Sequence, residues 1–237
     1  MKTYKFEISK GELFCLAAVF GYSTLINVVY EPEETGTDLK ALFSKISDKL
    51  RQKKWLDEDF DGNMSVTDEM SLALSLCNSA KQFWVIQSCV KGDTIADYMY
   101  TVYNTSDDYL VLEQVDNDSF KGLLTNDFSL VKKNVTEKTP YSGQKSEQLV
   151  MSHSEAKKVL NDESYSIFDI AKYIIDTVDE ERTIVCLDIS MFLHLKNGGS
   201  YLLSTEKNKD GDFLQINQDE YDKELDGIFS IGRVSDG

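Results

Sequence analysis

The sequence contains few of the residues that build catalytic and metal centres. It has two histidines, His153 and His194, and it lacks the G-x-S-x-G, H-E-x-x-H and Walker-loop patterns. A Ser-His-Asp or Cys-His device would have to use one of these two imidazoles. We therefore expect no catalytic residue, no metal site and no cofactor, and we predict that the protein is not an enzyme.

Cysteine is also scarce, and its spacing does not fit a metal-binding framework. The four cysteines lie far apart among apolar neighbours, and no C-x-x-C pair occurs. This pattern predicts four buried, reduced thiols rather than disulfides or zinc ligands. The four are Cys15, Cys77, Cys89 and Cys186.

Positive charge is in the minority. Lys and Arg number 25 against 41 Asp and Glu, which gives a formal net charge of −16. No basic cluster exceeds two residues, so repulsion from phosphate argues against nucleic-acid binding and against docking on anionic membranes. The longest apolar run, residues 13–20, is too short to span a bilayer, and residues 1–7 lack a signal-peptide pattern. We expect a cytoplasmic protein without membrane insertion.

Apolar and aromatic residues, in contrast, are abundant. Hydrophobic residues make up 41% of the chain, with 12 Phe, 12 Tyr and 2 Trp among them. Side chains of this size and number bury enough surface for a folded core, which excludes a disordered chain.

A serine followed three residues later by a glutamate marks two predicted helix starts. Ser9 and Glu12 follow a strand-like run at residues 6–8, and Ser152 and Glu155 follow another at residues 149–151. In such a capping box the hydroxyl and the carboxylate accept hydrogen bonds from free backbone donors. Strand, capping box and apolar helix therefore occur twice in the same order.

Each capping box is followed by a similar series of predicted elements. In the first half these are a helix at 68–80, strands at 83–86, 98–103 and 109–115, and an acidic-capped helix start at 115–120. In the second half they are a helix at 167–178, strands at 183–187, 201–204 and 213–216, and a helix start at 216–221. We predict an α+β fold of two pseudo-twofold-related halves, each β-α-α-βββ-α with an antiparallel sheet covered by helices.

The predicted organisation is a single domain spanning residues 1–237. Its pseudo-repeat halves are residues 1–131 and 146–237, and residues 132–145, with Pro140 and Gly143, form the linker. The first half is longer because of an insertion between about residues 32 and 66. Pairing of the halves would remove open sheet edges, which favours one compact domain over two independent ones.

The acidic segment at residues 57–68 has two interpretations. Carboxylates at Asp57, Asp59 and Asp61 match the alternating ligands of an EF-hand calcium loop. The twelfth position is Asp68 instead of glutamate, however, and the flanking residues lack the apolar pattern of EF-hand helices. We favour the alternative, a small acidic turn that joins two short strands and precedes a capped helix.

Three stretches resemble the EspG family, the cytosolic chaperones associated with ESX (type VII) secretion. Residues 6–13 are similar to the family's opening strand and helix, residues 50–74 to its helix-hairpin-helix insert, and residues 152–155 to the start of its second subdomain. The resemblance extends over nearly the whole chain. It implies two subdomains related by a pseudo-twofold axis. It also implies a protein partner, a helical secretion substrate whose apolar tip the chaperone masks until export.

The resemblance further indicates a partner-binding loop. In the family, the loop between the second and third strands of the first half contributes to binding. Here that loop is an acidic turn flanked by tyrosines, a residue type favoured at interface centres. The predicted contact residues are Tyr103, Asn104, Thr105, Ser106, Asp107, Asp108 and Tyr109. The alternative is that the tyrosines cover a sheet face against helices.

The acidic composition leaves other functions open. An immunity protein that binds and inhibits a secreted toxin is also often acidic, because it complements a basic catalytic cleft. Strong salt dependence of partner binding would favour that function, whereas the duplicated element order argues mildly against it. A calcium-responsive module around residues 57–68 and an enzyme with a pocket between the halves are further hypotheses.

Overall fold

The computed structural model describes residues 3–30, 39–91, 98–105, 107–137, 141, 149–162, 165–178, 181–195, 198–204 and 211–230. The predictions for Ser106, for Pro140 and Gly143 of the linker and for the side chain of Cys89 fall outside this description.

The described residues form six helices and twelve strands. In chain order these are β1 (Tyr4–Ser9), α1 (Lys10–Val19), α2 (Leu39–Gln52), β2 (Leu56–Glu58), β3 (Met64–Val66), α3 (Asp68–Ser79), β4 (Gln82–Lys91), β5 (Tyr98–Asn104), β6 (Tyr109–Gln114), β7 (Ser119–Thr125), α4 (Phe128–Thr136), β8 (Val150–Met151), α5 (His153–Asp162), β9 (Tyr165–Val178), β10 (Glu181–Leu195), β11 (Ser200–Ser204), β12 (Phe213–Ile216) and α6 (Gln218–Ser230). Every strand pair with a defined register is antiparallel. The predicted α+β class with antiparallel sheets is therefore confirmed.

The chain divides into two compact units, and the first comprises residues 1–80 and 103–127. In this unit β7 pairs with β1 on one side and with β6 on the other. Helix α1 packs against β1, α2 and α3, and α3 packs against β6. Phe6 lies opposite Gly122, and a Cβ atom at position 122 would overlap the Phe6 ring. The ring of Trp55 meets Phe6 edge-on, with the centroids 6.0 Å apart.

The second unit comprises residues 81–102 and 128–237. Its strands follow the order β4-β9-β10-β11-β12-β8. Helices α4 and α6 are joined by Lys132, whose Nζ lies 2.9 Å from an Asp226 carboxylate oxygen. Beside this ion pair, the Phe229 ring lies 5.5 Å from Trp84 and 5.6 Å from Phe128, so aromatic packing holds the helices on the sheet.

The element order still repeats, but with four strands in each copy. After its first strand and helix, each half has four strands and a closing helix: β4 to β7 and α4 in the first, β9 to β12 and α6 in the second. The first strand of each half pairs with the last, β1 with β7 and β8 with β12. Elements α2, β2, β3 and α3 are additional in the first half. The single-domain organisation with halves 1–131 and 146–237 stays a prediction.

The helix predicted at residues 167–178 is wrong, because this segment lies in strand β9. Its apolar residues fit a helical period, but they also form the nearly continuous run of a central strand. Strand β9 lies between β4 and β10, with Phe168 and Ile170 buried and Ile167 and Tyr173 half-buried. A strand with apolar residues on both sides does not show the alternation that would identify it.

The helix start predicted at residues 115–120 is also wrong. Strand β7 begins at Ser119 and runs to Thr125, and the closing helix α4 begins only at Phe128. The N–H of Val115 donates to the carbonyl of Ser119 over 3.0 Å, so residues 116–118 form a turn. Helix α4 runs to Thr136 and therefore covers the first five residues assigned to the linker, 132–136.

Both predicted capping boxes are confirmed. The Ser9 hydroxyl accepts from the N–H of Glu12, and the Glu12 carboxylate accepts from the N–H of Ser9 over 2.9 Å. Ser152 and Glu155 make the same reciprocal pair at α5. At the first helix the chain then turns at Gly21, which has a φ of +89°.

The prediction of buried thiols holds for Cys15 and Cys77 but is wrong for Cys186, which is exposed on β10. Its apolar neighbours in the sequence are themselves exposed, so they do not bury the thiol. Within the described helices, none is long and apolar enough to cross a membrane.

Candidate protein-binding hairpin

The predicted partner-binding segment is a closed β-hairpin in the first unit. Strand β5 ends at Asn104 and β6 begins at Tyr109. The N–H of Thr105 donates to the carbonyl of Asp108 over 3.0 Å, and the N–H of Asp108 donates to the Thr105 hydroxyl over 3.3 Å. Thr and Asp are typical turn residues because their side chains accept such local bonds. We call residues 105 and 107–109 the hairpin tip.

Tyr103 anchors this hairpin in the core of the first unit. Its side chain is fully buried, and its hydroxyl donates to the carbonyl oxygen of Ile26 over 2.6 Å. The N–H of Ile26 in turn donates to the carbonyl of Cys77 at the end of α3. Burial raises the pKa of the Cys77 thiol, which hydrogen-bonds Tyr103. Tyr103 therefore positions the hairpin and presents no surface to a partner.

The side chains at the hairpin tip are accessible. Thr105 and Asp107 are exposed, Asp108 and Tyr109 are half-buried, and Asn104 is buried. The accessible set thus combines two carboxylates with one aromatic ring. A surface of this kind complements a partner that carries basic and apolar side chains.

The base of the hairpin is buried. Leu110, Val111 and Leu112, the residues that follow Tyr109 in β6, are all buried, and α3 packs against this strand. A turn carried on buried strands loses less conformational freedom on binding than a turn carried on an exposed loop does.

The two histidines lie in different surroundings, one buried and one exposed. His194 Nδ1 lies 2.8 Å from the Ser200 hydroxyl, but both residues are buried. Nε2 of His194 has no hydrogen-bond partner among the described groups. Burial lowers the pKa of His194 to about 4, so its imidazole is neutral near pH 7. His153 lies exposed in the first turn of α5.

The acidic segment at residues 57–68 forms the favoured hairpin. Strands β2 and β3 pair across a turn in which the Asp59 carboxylate accepts from the N–H groups of Asp61 and Asn63. The bond from the Asn63 amide and these backbone bonds lower the pKa of Asp59. Within the described residues, no three His, Cys, Asp or Glu side chains are grouped as they would be around a metal ion.

Sequence reasoning missed one exposed apolar surface. Ile184, Val185 and Leu187 of β10 are all well exposed, yet they were assigned to an ordinary sheet strand. The error follows from taking residues 167–178 as a helix, which left β10 without its long partner β9. The six β-branched residues among those twelve were a signal for a strand.

Comparison with known proteins identifies the fold. No family model matches the sequence, and no curated protein matches it. The structure shares its α+β architecture with a secretion chaperone. This is the type VII secretion system chaperone EspG5 of Mycobacterium tuberculosis, solved in complex with a PE25–PPE41 dimer. The TM-score is 0.58, the identity is 6%, and the match covers 92% of each chain. At this identity the similarity shows a common fold.

Proposed function

We propose that this protein is a non-enzymatic cytoplasmic chaperone that binds a helical type VII secretion substrate and keeps it soluble until export. The observation that carries the proposal is the fold shared with EspG5 over 92% of both chains, since that protein is a chaperone in complex with a protein dimer. A net charge of −16 supports this role, because it would keep a complex with an apolar substrate tip from aggregating.

We further propose that the hairpin tip contacts the partner. The contact would use Thr105, Asp107, Asp108 and Tyr109, with Tyr103 and Asn104 holding the hairpin from within. Ser106 completes the predicted contact set. The buried base and the accessible mixture of acid and aromatic groups support this assignment.

The test is co-expression with the proteins that neighbouring genes encode, beginning with any that are predicted to be long and helical. The expected result is that one of them stays soluble only with this chain and co-elutes with it. Asp107→Ala with Tyr109→Ala should weaken that complex at least tenfold. Val115→Ala with Asp118→Ala, which removes one apolar and one acidic side chain at the next turn, is the matched control. Unchanged binding by the first variant would remove the hairpin tip from the interface.

The same experiment addresses the immunity-protein alternative, which the exposed carboxylates at the tip also favour. A partner with a basic active site would lose affinity steeply as salt is raised and would lose its toxic activity on binding. A helical substrate held through its apolar tip would show a weak salt dependence and no inhibited activity. Failure of every neighbouring helical protein to bind would overturn the chaperone proposal.

A further inference from the structure

A buried cluster of rings joins helix α6 to the sheet of the second unit. The centroid of the His194 imidazole lies 5.6 Å from the Tyr221 ring of α6 and 5.9 Å from the Tyr141 ring. Phe192, two residues before His194 in β10, meets the Tyr221 ring edge-on at 5.1 Å. His194 and Tyr221 each keep only 3% of their surface accessible. The polar atoms of these two side chains are therefore shielded from bulk solvent.

A series of hydrogen bonds fixes the tautomer of the His194 ring. The Tyr141 hydroxyl donates its one proton to the carbonyl oxygen of Ile216 over 3.0 Å, so its oxygen can only accept in its hydrogen bond with Ser200. The Ser200 hydroxyl therefore gives its one proton to Tyr141 and must accept from the imidazole, whose Nδ1 lies 2.8 Å away. The proton of the neutral ring consequently lies on Nδ1, and Nε2 carries a lone pair.

Two complementary polar atoms of this cluster remain without a hydrogen bond. Nε2 of His194 is an acceptor, the Tyr221 hydroxyl can donate, and neither has a partner in the part of the chain that the structure describes. Buried polar groups are nearly always paired, either with protein groups or with internal water. The two atoms do not bond each other directly, although their rings are in contact. A water molecule between them would accept from the Tyr221 hydroxyl and donate to Nε2, which satisfies both atoms.

We infer that Nε2 of His194 and the Tyr221 hydroxyl form a binding site for one internal water molecule. The water completes a chain of hydrogen bonds that runs from α6 through His194, Ser200 and Tyr141 to the carbonyl of Ile216 in β12. Every donor in this chain points the same way, an arrangement in which hydrogen bonds strengthen one another. A small neutral ligand suits the site, because both atoms belong to uncharged groups packed among aromatic rings. The inference is independent of the proposed chaperone role and of the hairpin tip.

NMR of the ring nitrogens in the full chain tests the tautomer and the bond at Nε2. The chain has only two histidines, and the exposed His153 serves as the internal reference. Near pH 7 the His194 ring should show a protonated Nδ1 and an unprotonated Nε2 that accepts a hydrogen bond. Tyr221→Phe keeps the aromatic ring but removes the donor, so the Nε2 signal should move toward that of a nitrogen without a hydrogen bond. A proton on Nε2, or an Nε2 signal that this change leaves in place, would overturn the inference.

The matched control is Tyr173→Phe, at a half-buried tyrosine of β9 in the same unit that stacks on Phe83. It removes one hydroxyl from a tyrosine outside the cluster and should leave both ring nitrogens of His194 unchanged. Circular dichroism would confirm that each variant is folded.

A crystal structure of the wild type tests the water itself. One ordered water should lie within hydrogen-bond distance of both His194 Nε2 and the Tyr221 hydroxyl, and its density should be absent in Tyr221→Phe. A direct bond between the hydroxyl and Nε2, with no water between them, would overturn the proposed site.

Discussion

The hydroxyl of Tyr103 and the carbonyl oxygen of Ile26 lie 2.6 Å apart in a buried hydrogen bond that joins β5 to the segment following α1. Tyr103 stands one residue before the end of β5, so this bond fixes where the hairpin tip leaves the core. Tyr103 therefore influences partner binding through the position of the hairpin tip and not through a contact of its own.

Tyr103→Phe should destabilise the protein by about 2 kcal/mol, because it leaves a buried carbonyl without its donor. Urea unfolding measures this loss. Since the ring faces the core, the folded variant should bind a partner as tightly as the wild type does. A stability change below about 0.5 kcal/mol, or a large loss of affinity in a folded Tyr103→Phe protein, would contradict this role.

The two capping boxes differ in burial, so their glutamates should contribute differently to the free energy of unfolding. The Glu12 carboxylate is buried and accepts from Lys53 Nζ over 2.8 Å as well as from the N–H of Ser9. Glu12→Gln removes the charge from these bonds and should cost about 2 kcal/mol. The matched change Glu155→Gln, at an exposed box, should cost clearly less. If urea unfolding shows equal losses of stability for the two variants, the burial of Glu12 does not strengthen its hydrogen bonds.

Local chemistry made several elements predictable from the sequence. A capping box is formed by residues three positions apart, so Ser9 with Glu12 and Ser152 with Glu155 identify helix starts wherever the helices pack. The turn between β5 and β6 is also predictable, because its hydrogen bonds join Thr105 and Asp108, which are three positions apart. The acidic turn of β2 and β3 was favoured over a calcium loop because its flanking residues did not fit EF-hand helices.

Features that depend on contacts between residues far apart in the sequence could not be predicted. Residues 167–178 form a strand because β4 and β10 lie on either side of them. The sequence of the segment does not indicate which strands will pair with it. The burial of Tyr103 is similar: its residue type suits both an interface and a core, and its contact with Ile26 spans 77 positions. The exposure of Cys186 was likewise not predictable from its sequence surroundings, because the apolar residues on either side of it are themselves exposed.

The close contact between β1 and β7 predicts a strong effect of one added methyl group. At Gly122 a Cβ atom would overlap the ring of Phe6, which is itself buried. Gly122→Ala should therefore destabilise the first unit by about 3 kcal/mol, because the ring must leave its position. Gly227→Ala, in α6 with open space around the position, should stabilise by about 0.5–1 kcal/mol through helix propensity. Thermal or urea unfolding of the two variants measures this contrast, and similar changes in both would contradict it.

The buried imidazole of His194 predicts a loss of stability in weak acid. Burial lowers its pKa from 6.5 to about 4, so between these values the unfolded chain binds a proton that the folded chain excludes. Stability from this group is complete above about pH 6.5 and is lost as the pH falls toward 4. The total is about 3 kcal/mol, from 1.36 kcal/mol for each pKa unit.

The measurement is the free energy of unfolding of wild type and His194→Phe from pH 7.5 to pH 4. Carboxylates contribute to both proteins, so the difference between the two curves isolates the imidazole. The variant should lose the steep part of this pH dependence even if it is less stable at pH 7 because it lacks the hydrogen bond between Ser200 and Nδ1. The neighbouring Tyr141 and Tyr221 have raised pKa values and do not titrate in this range. Parallel curves for the two proteins would show that His194 has the same pKa in the folded and the unfolded chain, which would contradict the prediction.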